Sequence, residues 1–71
     1  MGKKWHIDSS YIKVEGRWRY LYKAIDDAGY LVDVMLSDVR DRGAAERFLL
    51  QCEKTTGVTP MQVTTDKEAA L

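Results

Sequence analysis

Residues 17–25, with the sequence RWRYLYKAI, form the stretch that decides the fold, because two kinds of side chain alternate along it. The first kind is aromatic or small and comprises Trp18, Tyr20, Tyr22 and Ala24. The second kind is basic or aliphatic and comprises Arg17, Arg19, Leu21, Lys23 and Ile25. Successive side chains of a β-strand point to opposite faces of its sheet, so the alternation predicts a strand at Arg17–Ile25.

The segments on either side of this strand predict an antiparallel meander. Trp5–Val14 is rich in aromatic and β-branched residues and ends at Glu15-Gly16, which favours a hairpin turn. Asp26–Gly29 forms a second turn, since Asp can bond its own backbone and Gly accepts positive φ. Tyr30–Ser37 then resumes an apolar strand pattern. Three consecutive antiparallel strands are therefore expected.

The hydrophobic period changes from two to about 3.6 residues after Ser37, which predicts one amphipathic helix. Its apolar positions are Ala44, Ala45, Phe48, Leu49 and Cys52, and its polar positions are Arg42, Glu46, Arg47, Glu53 and Lys54. Asp38 or Asp41 can cap the beginning of this helix. Gly57 suits a left-handed cap at its end, and Pro60 prevents its continuation.

The remaining residues predict a fourth strand and therefore a mixed sheet. Met61–Thr65 contains strand-forming residues, and Asp66 begins a helix-forming segment. The order strand, strand, strand, helix, strand predicts an α/β fold in which a right-handed crossover lays the fourth strand parallel to the first. The first strand is then central in the sheet. Asp8 and Asp66 come to lie on adjacent strands, where they can face one site.

Length and composition limit the classes of protein to consider. At 71 residues the chain is long enough for one small domain. Eleven Lys and Arg balance eleven Asp and Glu, so no overall basic field drives nucleic-acid binding and any DNA contact must be local. The single cysteine, Cys52, indicates a reducing compartment and core packing. No apolar run is long enough to cross a membrane, so we expect a cytoplasmic protein without membrane contact.

The stretch WHIDSSYIKVEGRWRYLYKAID, residues 5–26, closely resembles the opening of the catalytic core of bacterial insertion-sequence transposases. The resemblance continues through Arg40-Asp41, Ala44-Ala45, Phe48-Leu49 and residues 63–67, so it covers nearly the whole chain. It implies a ribonuclease-H-like, retroviral-integrase-like fold with an Asp, Asp, Glu triad, the DDE motif. We therefore expect residues 1–71 to form a single partial DDE transposase core domain, the N-terminal part of the core.

The resemblance assigns a catalytic role to two carboxylates. Asp8 matches the first catalytic Asp and Asp66 the second, and both would bind Mg²⁺ or Mn²⁺ for phosphoryl transfer on the DNA of transposon ends. Hard oxygen ligands suit these ions, and two such ions can activate a nucleophile and stabilise the leaving oxygen. Ser9-Ser10 departs from the family, which usually has Glu-Thr at these positions.

The third acid of the triad has no counterpart in these 71 residues. In the family it lies on a later helix, whereas this sequence ends at Leu71, five residues after Asp66. Glu68 lies too close to Asp66 to act from a separate helix. The resemblance thus implies a fragment of a transposase core that is inactive alone. The alternative is a noncatalytic remnant that self-associates or binds DNA, and a homo-oligomer is expected.

Several of these residues also have simpler structural interpretations. Asp8 can be an ordinary strand residue, and Asp66 is a good N-cap for a helix that starts at Lys67. His6 shares a strand face with Asp8 and is more often structural than catalytic. The aromatic face of residues 18–22, with basic residues nearby, could stack on nucleic-acid bases. We expect core packing there instead, because the aromatic and basic side chains alternate and lie on opposite faces.

Overall fold

A two-stranded hairpin forms the centre of the structure, a computed structural model that describes residues 3–65. Strand β1 spans Lys4–Val14 and strand β2 spans Arg17–Asp26. Glu15 and Gly16 connect them with φ angles of 51° and 80°. A two-residue turn with both φ angles positive has the twist that a tight hairpin needs. The turn sets the register, and the pairing continues without a bulge along β1.

Two further strands complete a mixed sheet with the order β3-β2-β1-β4. Strand β3, Leu31–Ser37, is antiparallel to β2, and strand β4, Gln62–Thr65, is parallel to β1. Asp26 holds the turn before β3, because its Oδ1 accepts hydrogen bonds of 2.9 Å from the amides of Ala28 and Tyr30. The predicted meander, parallel fourth strand and central first strand are confirmed.

Helix α1, Arg42–Thr56, connects β3 to β4 and has a cap at each end. Asp41 is the N-cap, and its carboxylate accepts a hydrogen bond of 2.8 Å from the Ala44 amide. Gly57 ends the helix in the left-handed conformation with φ 70°, and its amide donates to the Glu53 carbonyl at 2.8 Å. No helix within residues 3–65 is long and apolar enough to cross a membrane.

Asp38, the other candidate for the N-cap, forms ion pairs instead. Its Oδ1 lies 2.7 Å from Arg17 Nη2 and 3.1 Å from Arg19 Nε. Both Asp38 and Arg17 are largely exposed. Exposed ion pairs contribute at most about 1 kcal/mol to the free energy of unfolding, so this cluster adds little to the stability of the fold.

The hydrophobic core lies between α1 and one face of the sheet. Its buried residues are Trp5, Ile7, Tyr22, Ala24, Val32, Ala44, Ala45, Phe48 and Cys52. Tyr22 and Phe48 meet across this layer, with ring centroids 5.8 Å apart. Burial raises the pKa of the Cys52 thiol to about 12, so the thiol stays protonated and packs as an apolar group. Its predicted role in core packing is confirmed.

The aromatic face of β2 is core along only part of its length. Tyr22 is fully buried, whereas Trp18 is 53% exposed and its neighbour Tyr11 on β1 is 58% exposed. The expectation of core packing is therefore wrong for Trp18. The reason is that α1 begins beside Tyr22 and runs away from the hairpin turn, toward Asp33, which accepts a hydrogen bond from Gln51.

The boundaries of the strands differ from the sequence-based ones by at most one residue. The structure begins β1 at Lys4, extends β2 to Asp26, and begins β3 at Leu31 and β4 at Gln62. The helix-forming segment predicted from Asp66 onward lies outside the described residues. The arrangement is the α/β, partial ribonuclease-H-like topology that the resemblance implies.

Candidate metal-binding site

Asp8 lies on the central strand, on the sheet face opposite α1, which we call the open face. Ile7, its neighbour, is buried beneath α1, and strand alternation therefore directs Asp8 to the other side. Asp8 is partly exposed, and among residues 3–65 its carboxylate has no hydrogen-bond or ion-pair partner. A carboxylate in that position is available to a cation.

Strand β4 approaches Asp8 from the far side of β1. The parallel register pairs Ile7 with Thr65, the last residue of β4. These two residues come directly before Asp8 and Asp66 in the chain. Asp66 itself lies outside the described residues, so the meeting of the two carboxylates stays a prediction.

Lys23 is a candidate site residue that the sequence analysis did not identify. It is the direct cross-strand partner of Asp8, so the two side chains share the open face. Lys23 is exposed. The signal was available in the sequence, because a two-residue turn at Glu15-Gly16 pairs residue 8 with residue 23. The site thus combines a carboxylate that suits a metal ion with an ammonium group that suits a phosphate.

His6 borders the same site on the open face. It is partly exposed and pairs with Ile25 of β2 and Thr64 of β4. Residues two positions apart on a strand lie roughly 6.6 Å from one another, so the imidazole and the Asp8 carboxylate are neighbours. The structural role predicted for His6 stays a prediction.

Asp33 is bound to α1 and takes no part in this site. Its carboxylate accepts hydrogen bonds from Gln51 Nε2 at 3.1 Å and Thr55 Oγ1 at 2.9 Å. Burial raises the pKa of Asp33, but the hydrogen bonds from Gln51, the Val34 amide and Thr55 outweigh burial and lower the pKa below its usual value. This carboxylate therefore anchors the end of α1 to β3.

The described residues do not contain a complete metal site. Three further aspartates are engaged elsewhere: Asp26 in a turn, Asp38 with two arginines and Asp41 at the helix N-cap. No group of three or more His, Cys, Asp or Glu side chains within residues 3–65 is arranged to hold a metal ion.

Comparison with known proteins shows which protein family and which relatives the chain matches. Residues 2–71 match the family described as a DDE domain. Over 64 residues the chain is 44% identical to the transposase for insertion sequence-like element IS431mec of Staphylococcus aureus strain N315. The identity is the same for the transposase for insertion sequence element IS257 in transposon Tn4003 of Staphylococcus aureus. Each match covers 90% of this chain, which spans only 28% of the length of these curated relatives.

A further relative comes from a second organism. The chain is 37% identical over 68 residues to the uncharacterized protein pYV0051 of Yersinia pseudotuberculosis serotype I strain IP32953. That match covers 93% of this chain and 64% of the relative. No solved structure matches the chain. The match to the DDE domain extends over the positions of both Asp8 and Asp66.

Proposed function

The chain belongs to the DDE-domain family of insertion-sequence transposases, and on that premise we propose that Asp8 and Asp66 are the first two acids of a catalytic triad. Residues 1–71 would form the N-terminal part of the catalytic core. The assembled core would cleave and join DNA by phosphoryl transfer. The observation that carries this proposal is the place of Asp8, which lies on the central strand beside the end of β4 and has no partner among residues 3–65.

Mg²⁺ or Mn²⁺ fits the residues proposed to bind it. Both ions prefer oxygen ligands, and Asp8 offers a partly exposed carboxylate. The proposal requires that the β1–β4 register continue by one residue, so that Asp66 lies beside Asp8. When bound, such ions activate a water or a DNA 3′-hydroxyl and stabilise the leaving oxygen of the displacement.

Lys23 would position the DNA backbone beside Asp8. Its ammonium group lies on the same face as the carboxylate and directly across the strand pair. An ammonium group attracts a phosphate as a point charge, so it can hold the backbone next to the metal-binding acid. DNA at transposon ends is the proposed partner of the complete protein, and a cytoplasmic location is proposed with it.

The 71-residue chain by itself is expected to bind metal weakly and to lack efficient strand transfer. Two carboxylates leave a divalent ion mostly hydrated. The third acid of the family has no counterpart among these residues, so one of the two ions would lack a protein ligand that positions it.

Binding of Mn²⁺ to the full 71-residue chain, followed by electron paramagnetic resonance, tests the assignment of Asp8. Asp8→Asn keeps the shape of the side chain and removes its charge, so we expect the weak Mn²⁺ binding to disappear. Asp27→Asn is the matched control, because Asp27 is an exposed aspartate in the turn between β2 and β3. Equal Mn²⁺ affinity in Asp8→Asn and the wild type would exclude Asp8 as a ligand.

A nuclease assay with Mn²⁺ and DNA tests the expected inactivity of the isolated chain. Only background cleavage is expected from the wild type. Robust cleavage that depends on Mn²⁺ and is abolished in Asp8→Ala would contradict this expectation and would reveal a third acid within the chain.

A second candidate function, a noncatalytic module that self-associates, is favoured by exposed apolar residues on β3. Leu31, Val34 and Leu36 pair with open-face residues of β2 and are exposed. In the sheet formed by residues 3–65, β3 is also an edge strand. An exposed apolar strand at a sheet edge is a natural pairing surface for a second copy, and a symmetric dimer would bury both edges together.

Sedimentation equilibrium at micromolar concentration tests self-association. Leu36→Glu is expected to convert a dimer to a monomer, because the carboxylate would have to be buried in the contact. Leu50→Glu is the control, because Leu50 is exposed on the outer side of α1. A wild-type monomer with a cooperative melt would contradict the homo-oligomer.

A further inference from the structure

The outer edge of β3 is occupied at Val34 by two side chains of the same molecule. Val34 lies opposite Lys23 of β2. Its amide donates a hydrogen bond of 2.8 Å to Asp33 Oδ1, and its carbonyl accepts one of 3.0 Å from Gln51 Nε2. Successive residues of an edge strand direct their backbone polar groups alternately to the neighbouring strand and away from it. Both groups of Val34 therefore face away from β2, and both already have a partner.

Helix α1 holds these two side chains in place. Gln51 Nε2 also donates to Asp33 Oδ2 at 3.1 Å, and Thr55 Oγ1 donates to the same oxygen at 2.9 Å. Gln51 and Thr55 are four residues apart on α1, so both lie on the helix face that meets β3. Asp33 thus binds the strand edge with one carboxylate oxygen and the helix with the other. We call Asp33, Gln51 and Thr55 the edge clamp.

The position of the edge clamp is the one that most restricts strand addition. Val34 is the central residue of β3, which spans the seven residues Leu31–Ser37. A strand that adds to a sheet edge pairs with a continuous row of unpaired N–H and C=O groups. To pair along β3, an added strand would have to displace Asp33 from the Val34 amide and Gln51 from the Val34 carbonyl.

The side chains of β3 make such protection necessary. Leu31, Val34 and Leu36 are apolar and exposed. A flat, apolar edge strand is a template for pairing with another chain, and proteins oppose such pairing with devices at the edge itself. In β3 that device consists of hydrogen bonds from the side chains of the edge clamp to the backbone.

We propose that the edge clamp prevents a second copy of this chain from adding a strand to β3. The edge becomes available only when the hydrogen bonds of Asp33 and Gln51 to Val34 break. This inference rests on the second candidate function, self-association through β3, and names the step that limits it. Removal of the clamp should therefore strengthen self-association, although it removes favourable contacts within each copy.

Sedimentation equilibrium of the full chain, from micromolar to millimolar concentration, tests the proposal. Gln51→Ala removes the donor to the Val34 carbonyl and is expected to strengthen self-association about ten-fold, because both copies of a dimer lose the clamp and each hydrogen bond is worth about five-fold. The double variant Asp33→Ala, Gln51→Ala also frees the Val34 amide and should strengthen self-association further. Thr55→Val is the matched control, because it removes a hydrogen bond to Asp33 and leaves both contacts to Val34.

A proline at position 34 tests whether the gain arises at the edge of β3. Proline has no N–H and is tolerated on an edge strand where that group faces away from the sheet, so Val34→Pro leaves the pairing with β2 intact. In the Gln51→Ala background, Val34→Pro is expected to return self-association to the wild-type level. Val34→Ala in the same background is the control, because it shortens the side chain and keeps the N–H. Stronger association that persists with Val34→Pro, in a chain with the circular dichroism spectrum of the wild type, would overturn the proposal.

The same measurements separate this proposal from the second candidate function. A monomeric wild type with a dimeric Gln51→Ala would support the edge clamp and contradict self-association of the wild type. A wild-type dimer with the same dissociation constant in Gln51→Ala and in the double variant would overturn the edge clamp and leave self-association standing. Monomers in all three chains, each with the wild-type circular dichroism spectrum, would contradict both.

Discussion

The sheet face beneath α1 has two halves that bury similar side chains to very different extents. Tyr22 belongs to the covered half, where it is fully buried against Phe48. Trp18 lies four residues nearer the hairpin turn, in the uncovered half, where it stacks on Tyr11 and remains 53% exposed. The two residues occupy equivalent positions in the alternating pattern and lie on the same face of the sheet. The alternation therefore predicts the face on which a side chain lies, but it does not predict whether that side chain is buried.

The difference between the halves follows from the lengths and the starting points of the elements. Helix α1 has 15 residues and is roughly 22 Å long, whereas β1 has 11 residues and is roughly 36 Å long. Because α1 also begins beside Tyr22, the rings nearer the turn lie beyond its end. The covered half forms the core, and the uncovered half carries the stacked rings of Tyr11, Trp18 and Tyr20.

Phe48→Ala should disrupt the packing of the covered half, and it has the largest expected effect on the free energy of unfolding. Phe48 is fully buried and packs on Tyr22, so its truncation is expected to lower the free energy of unfolding by about 3–5 kcal/mol. Urea denaturation measures the change. Leu50→Ala, at an exposed position on the same helix, is the control and should stay within about 0.5 kcal/mol of the wild type. A cost below about 1 kcal/mol for Phe48→Ala would show that α1 does not cover this half in solution.

Asp41→Ala should destabilise the N-terminal end of α1, which borders the uncovered half. Its carboxylate satisfies the Ala44 amide, and the loss of an N-cap is expected to cost about 1 kcal/mol in the free energy of unfolding. Asp38→Ala removes exposed ion pairs and is expected to cost less. Urea denaturation measures the free energy of unfolding of both variants. A larger loss in Asp38→Ala than in Asp41→Ala would contradict the assignment of Asp41 as the N-cap.

Trp18→Ala, in the uncovered half, should affect stability less than Phe48→Ala. The side chain is 53% exposed, so its removal loses the burial of the remaining part together with the stacking on Tyr11, which is worth about 0.5–1.5 kcal/mol beyond that burial. Thermal denaturation followed by circular dichroism measures it. A loss as large as that of Phe48→Ala would mean that the uncovered half is part of the core.

Asp33→Asn should produce a small loss of stability, because an amide group replaces one of the two oxygens that accept hydrogen bonds, and it should also change the pH dependence of stability. The folded-state pKa of Asp33 is lowered, so its carboxylate contributes stability above its ordinary pKa of 3.8, and this contribution is lost as the pH falls through the lowered value. The wild type should therefore lose more stability than Asp33→Asn on acidification from about pH 5 to pH 3. Parallel urea titrations at both pH values measure the difference, and identical losses would contradict the assigned hydrogen bonds.

Local signals in the sequence were sufficient for most of the fold and for part of the candidate site. The Glu15-Gly16 dipeptide between two strand patterns predicts the turn, which the structure confirms with positive φ angles at both residues, and a two-residue turn there pairs Asp8 with Lys23. The choice between Asp38 and Asp41 as the N-cap could not be made from the sequence, because both residues precede a helical pattern. In the structure, Asp38 forms ion pairs with Arg17 and Arg19, which are distant from it in the chain, and Asp41 is the N-cap.

The sequence by itself determined the order of the elements, the face on which each strand residue lies and the family to which the chain belongs. These properties depend on side-chain spacing, turn chemistry and motifs, all of which are local along the chain. Only the tertiary structure decided that α1 covers Tyr22 and leaves Trp18 exposed, and that Lys13 and Arg40 lie over the exposed rings. The physical reason is that coverage depends on where a helix docks and how far it reaches, which is settled by packing between residues far apart in the chain.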